Sequence, residues 1–107
     1  MNLKRLETEQ EFKERVLTGT NLKVVLFEAK WHGSSQILIP ALERIQQKLD
    51  VDITKVCIEQ NPIVAETYGI MKIPTILFFK DQKIMDHLVG IVPARKIETT
   101  IVNHLSV

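Results

Sequence analysis

Residues 31–35 read Trp31-His32-Gly33-Ser34-Ser35, which puts an aromatic ring, an imidazole, a glycine and two hydroxyls between an apolar run, Val24-Val25-Leu26-Phe27, and a segment of helical period. A strand that turns directly into a helix leaves the first N–H groups of that helix unpaired, where they favour an anion, a thiolate or a polar ligand. What happens there depends on the side chains beside them. A serine becomes a nucleophile only with a base in hydrogen-bond reach. His32 is close in sequence but nothing is seen to orient it, so a capping role for Ser34 or Ser35, worth about 1 kcal/mol, outweighs catalysis. With no other His or Cys nearby in sequence, His32 is expected to be an exposed polar residue of the turn rather than a metal ligand. No metal and no cofactor are expected.

The other chemically interesting residue is Cys57, the only cysteine. It can form neither an internal disulfide nor a multi-cysteine metal site. Lying in an apolar stretch, Ile53 to Ile58, it is expected to behave as a small core hydrophobe.

The frame that must hold these residues is a single domain over 1–107, since 107 residues suffice for one core and are too few for two. Apolar residues at 45% and charged ones at 25% are ordinary for a globular protein, and a formal charge of +1 supplies no field for nucleic acid or anionic lipid. Neither is an expected partner. The N-terminus lacks the apolar core of a signal peptide and no apolar run reaches membrane-spanning length, so a cytoplasmic location is expected.

Leu3 to Leu6 alternates like an edge strand, and Thr8-Glu9-Gln10-Glu11 reads as a capping box opening a helix with Phe12, Val16 and Leu17 on its apolar stripe and Gly19 at its end. Leu22 to Phe27 is short and valine-rich, as a central strand buried on both faces would be. Ile37, Leu38, Ala41, Leu42, Ile45 and Leu49 then recur at helical spacing. Pro40 falls inside that helix and predicts a kink at a cost of about 3 kcal/mol. Ile53 to Ile58 gives a strand; Gln60-Asn61-Pro62 caps a short helix through Tyr68, closed by Gly69. Ile76 to Phe79 makes a strand that follows Pro74, Asp81-Gln82 a tight turn, and Lys83 to Val89 an antiparallel return with apolar Ile84, Met85, Leu88 and Val89. Pro93 opens a last helix carrying Ile97, Ile101, Val102 and Leu105. The order β-α-β-α-β-α-β-β-α calls for an α/β architecture, one central mixed sheet with helices on both faces.

In this order the residues resemble the thioredoxin family. Val24 to Gly33 resembles the strand and active-site approach, and Ile37 to Pro40 the kinked helix; Gln60-Asn61-Pro62, Tyr68-Gly69-Ile70, Ile73 to Lys80 and Val89-Gly90 also fall at thioredoxin-like spacing. The resemblance implies the thioredoxin fold, a cis bond before Pro74, partial exposure of Trp31, and backbone groups of Ile73 offered to an extended substrate. The departures are equally specific. Thioredoxins carry Cys-Gly-Pro-Cys where this chain has His32-Gly33-Ser34-Ser35; Leu26 stands in the place of their buried aspartate, and Glu28 where a second tryptophan is usual. A serine does not ionise near neutral pH and forms no disulfide. Disulfide oxidoreductase activity is therefore not expected.

Two functions follow as expectations. One is a redox-inactive module that holds a protein or extended peptide on Trp31, His32, Gly33, Ser34, Ser35, Ile73, Pro74 and Thr75. The other is an enzyme that binds a small thiol, as glutathione-transferase-like relatives of the fold do, through Ser34 or Ser35, or an oxidoreductase role whose cysteines a partner supplies. Glu28 is expected to pair with Lys55 on the neighbouring strand, because a buried lone carboxylate costs several kcal/mol.

Overall fold

The computed structural model describes residues 3–30 and 33–105, with the side chains of Ser34 and Ser35 excepted. Its elements run β1 (Lys4–Leu6), α1 (Glu9–Val16), β2 (Lys23–Glu28), α2 (Ser34–Leu49), β3 (Asp52–Cys57), α3 (Pro62–Thr67), β4 (Thr75–Lys80), β5 (Lys83–Val89) and α4 (Ala94–Leu105). The sheet order is β1-β3-β2-β4-β5, with β1 and β2 parallel to β3 and the β2–β4 and β4–β5 pairs antiparallel. β2 lies in the middle, and all its residues from Val24 to Glu28 are buried.

Alternation along the strands sorts the core into two layers. Val24, Leu26, Ile53, Ile76 and Phe78 face α2 and α4 and meet Leu38, Leu42, Ile45, Ile97 and Ile101. Val25, Phe27, Val56, Leu77 and Phe79 face the opposite way, toward Phe12 and Val16 of α1 and Val64 of α3. On that side the rings of Phe12, Tyr68 and Phe79 pack edge-on or tilted at centroid distances of 5.4–5.9 Å.

Local chemistry explains the element ends. Thr8 caps α1, its hydroxyl accepting from the Glu11 N–H at 3.0 Å; the Glu11 carboxylate reaches back past Thr8 to the Glu7 N–H, also at 3.0 Å. α1 stops at Val16, and Gly19, with φ +70, shapes the loop three residues beyond rather than the helix end. Asp81 and Gln82 both have positive φ, 53 and 68, as a two-residue hairpin loop between twisted strands requires. The bidentate Arg15–Asp52 pair, at 2.8 and 2.9 Å, clamps α1 to β3. His104 Nε2 lies 3.2 Å from Asp86 Oδ2 and ties the end of α4 to β5, and this hydrogen bond holds the Asp86 carboxyl below its usual range.

Several residues of the expected apolar stripes are outside the core. Ile37 is 62% exposed, and Ile84, Met85 and Val89 are about half exposed, because β5 is an edge strand that the helices do not cover. On α4, Ile97 and Ile101 are fully buried while Val102 and Leu105 are not. Ile101→Ala is therefore expected to cost about 2–4 kcal/mol in urea unfolding, and Val102→Ala within about 0.5 kcal/mol. Equal losses would contradict this placement of α4.

Candidate functional site

The carboxyl ends of β2 and β3 and the start of α2 meet at the turn around Gly33. The Ile58 N–H extends the β2–β3 ladder by donating to the Glu28 carbonyl at 2.9 Å. Two residues past Glu28, Lys30 donates its N–H to Glu59 Oε1 at 2.7 Å, and the Cys57 thiol points to the same oxygen at 3.5 Å. Glu59 thus pins the turn to the end of β3. Nothing in its type or spacing marks it in the sequence; its position two residues after Cys57 matters only once β3 is seen to end there.

Trp31 and His32, both singled out from the sequence, lie outside the described residues. Gly33 is exposed and is itself the N-cap of α2, with φ −58 and ψ −23. The helix begins at Ser34, so neither serine holds the cap position expected of it. Among the described residues, chain neighbours apart, a Cβ at Gly33 would meet nothing within 4 Å.

On the other side of the site, the Ile73–Pro74 bond is cis, as the resemblance implies. Ile73 is half-buried against the α1/α3 layer and Pro74 is buried. The Pro74 carbonyl accepts from the Gly90 N–H at 2.8 Å. Thr75 is also buried, and its hydroxyl donates to the Lys72 carbonyl at 2.6 Å. Pro74 and Thr75 therefore shape the loop, leaving Ile73 and Gly33 as the described members with accessible surface.

Glu28 is 3% exposed, on the same sheet face as Leu26 and toward α2. Its expected partner was Lys55, but the register sets Lys55 beside Leu26 and places Cys57 beside Glu28. The cation that reaches it is Arg5 of β1, whose guanidinium stands 3.8 Å from Glu28 Oε2. Arg5 is level with Lys55 one strand further out; its planar, weakly hydrated head is better suited than an ammonium to a half-buried pair. The contact is too long for a hydrogen bond, and Glu28 Oε2 and Arg5 Nε have no hydrogen-bond partner among the described residues. Two buried groups, the Glu28 carboxylate and the Cys57 thiol, thus stand side by side at the end of the sheet. Among the described residues no group of three or more His, Cys, Asp or Glu is placed to hold a metal ion, and no helix is long and apolar enough to cross a membrane.

The architecture and the turn define an α/β protein of the thioredoxin fold. A family model described as Thioredoxin matches residues 4–103. Thioredoxin 1 of Synechococcus elongatus is 36% identical over 107 residues, covering 98% of this chain and 100% of that protein. Thioredoxin of Staphylococcus epidermidis is 33% identical over 100 residues, covering 92% and 94%. Among solved structures, a thioredoxin of Malassezia sympodialis superposes with a TM-score of 0.85 at 28% identity, covering 95% of this chain and 90% of that one. The chain belongs to the thioredoxin family.

These relatives correct the functional expectation drawn from the turn. Proteins 30–36% identical over nearly the whole length are named thioredoxin, which points to a thioredoxin redox function and overturns both the redox-inactive binding module and the small-thiol transferase.

The geometry of Glu28 yields a stability test. Arg5→Ala leaves the buried carboxylate with no cation at 3.8 Å, and because Arg5 is itself about a third exposed the expected loss is about 1–3 kcal/mol in urea unfolding. Glu28→Leu removes the charge along with its need for a partner and is expected to be neutral or stabilising. A neutral Arg5→Ala together with a strongly destabilising Glu28→Leu would show that Glu28 is satisfied by some other group.

Proposed function

We propose that this protein serves thiol–disulfide redox chemistry of the thioredoxin kind, acting on disulfides of other proteins in the cytoplasm. The observation that carries this is the near full-length relationship to proteins named thioredoxin. The sequence adds a constraint on how that chemistry runs. Positions 32 and 35 hold His32 and Ser35, and Cys57 is the only sulfur nucleophile in the chain. Any thiol exchange the chain performs by itself passes through Cys57.

One thiol supports a cycle of three exchanges with an external thiol. The Cys57 thiolate attacks one sulfur of a substrate disulfide, forming a mixed disulfide and releasing the other sulfur as a thiolate that takes up a proton. A first small thiol then attacks the substrate sulfur or Cys57, and a second completes the exchange. The balance is one substrate disulfide and two small thiols giving two substrate thiols and one small-molecule disulfide, with Cys57 regenerated. Burial sets the pace. At 1% exposure Cys57 meets a disulfide only when the structure around it opens, so slow turnover is expected.

The substrate side of the proposal is an extended protein segment at the turn and the loop before Pro74, with Trp31, His32, Gly33, Ser34, Ser35 and Ile73 as its contacts. What supports it is the resemblance of Ile73-Pro74-Thr75 to the thioredoxin loop and the exposure of Gly33.

Reduction of a chromogenic disulfide by glutathione tests the proposal. The expected result is a rate above that of glutathione alone for the native chain, falling to that background in Cys57→Ser with its thermal melt preserved. A native rate equal to background, in conditions where a dithiol thioredoxin turns over, would refute it, as would full activity in Cys57→Ser.

A further inference from the structure

A groove of about 570 Å³ opens on the α1/α3 side of the sheet, the face opposite Cys57. It exists because α1 and α3 stop short of the last strand. Ile70, Met71 and Lys72, in the segment after α3, form one wall, and Ile84, His87 and Val89 of β5 lie along the floor. Met71 is 93% exposed, and Ile84 and Val89 are 46% and 45% exposed, so the surface is apolar and uncovered. Lys72 is the formal charge among its described lining residues; His87 adds an imidazole, and no carboxylate is among them. The nearest acid of β5, Asp86, falls on the other face of the strand and is held by His104 at 3.2 Å.

We propose that this groove holds a short acidic segment of a partner protein, with apolar side chains against Met71, Ile84 and Val89 and carboxylates at Lys72 and His87. Charge complementarity selects the occupant: a basic or neutral segment gains nothing from Lys72, and a carboxylate meets no like charge in the lining. The segment lies on the face of the sheet and does not add as a sixth strand. At the middle of the β5 edge the His87 N–H is already taken by Asp86 Oδ1 at 2.8 Å, which blocks the backbone pairing that strand addition needs. The proposal is independent of the thiol chemistry at Cys57 and holds whether or not that chemistry is found.

The test is fluorescence anisotropy with two labelled eight-residue peptides, one alternating Glu with Leu and one alternating Lys with Leu, at low salt. The Glu peptide is expected to bind the native chain and Cys57→Ser alike. Binding should weaken by about tenfold or more in the Lys72→Glu, His87→Glu double variant, both positions being exposed, with its melt unchanged. The Lys peptide is expected not to bind. Equal binding of both peptides, or equal binding by the double variant, would overturn the proposal, and so would sedimentation showing that a second copy of the chain covers the groove.

Discussion

The structure depends on β2 being buried on both faces. From Val24 to Glu28 every side chain is out of water, alternately toward α2/α4 and toward α1/α3. That double burial fixes the register with β3 and β4, since a slip of one residue would exchange the two layers. It also means that the last residue of the strand, Glu28, is drawn into the interior although it is a carboxylate. An apolar strand that ends on an acid inside the protein must be answered by some other element, and here that element is β1 at the far side of β3, through Arg5.

The end of the sheet is consequently polar but under-satisfied. Among the described residues Glu28 has a cation at 3.8 Å and no hydrogen bond at Oε2, Cys57 lies beside it in register, and Glu59 gathers the Lys30 N–H and the Cys57 thiol. In a family whose chemistry belongs to sulfur at the start of α2, this chain keeps the turn and the loop before Pro74 and has its sulfur one strand away, at the end of β3. The Cys57 thiol is 1% exposed, so access to it requires opening of the structure.

Most of the architecture was legible in the sequence because periodicity and local turn chemistry agreed. Val24 to Phe27 announced a central strand, Thr8 to Glu11 a helix start, and Asp81-Gln82 the hairpin. Where the reading missed, the missing information was three-dimensional. Ile37 fits a helical stripe yet is 62% exposed, since a stripe read from spacing does not say how much of it a neighbouring layer covers. Ile84, Met85 and Val89, the apolar content of the returning strand, belong to an uncovered edge. The partner of Glu28 could not be Lys55 once the register was known, and Arg5 is more than twenty residues away in sequence. For function, the His32-Gly33-Ser34-Ser35 turn argued against redox chemistry, while the similarity of the whole chain to thioredoxins argues for it.

Those two indications meet at Cys57, and the most direct measurement is whether that thiol exchanges while the protein is folded. Incubation of the native chain with oxidised glutathione, followed over time by intact mass and peptide mapping, reads this without a coupled assay. The account predicts a slow gain of one glutathione per chain, confined to Cys57 and absent from Cys57→Ser. A native chain that stays unmodified, while the same chain in denaturant takes up glutathione promptly, would contradict it.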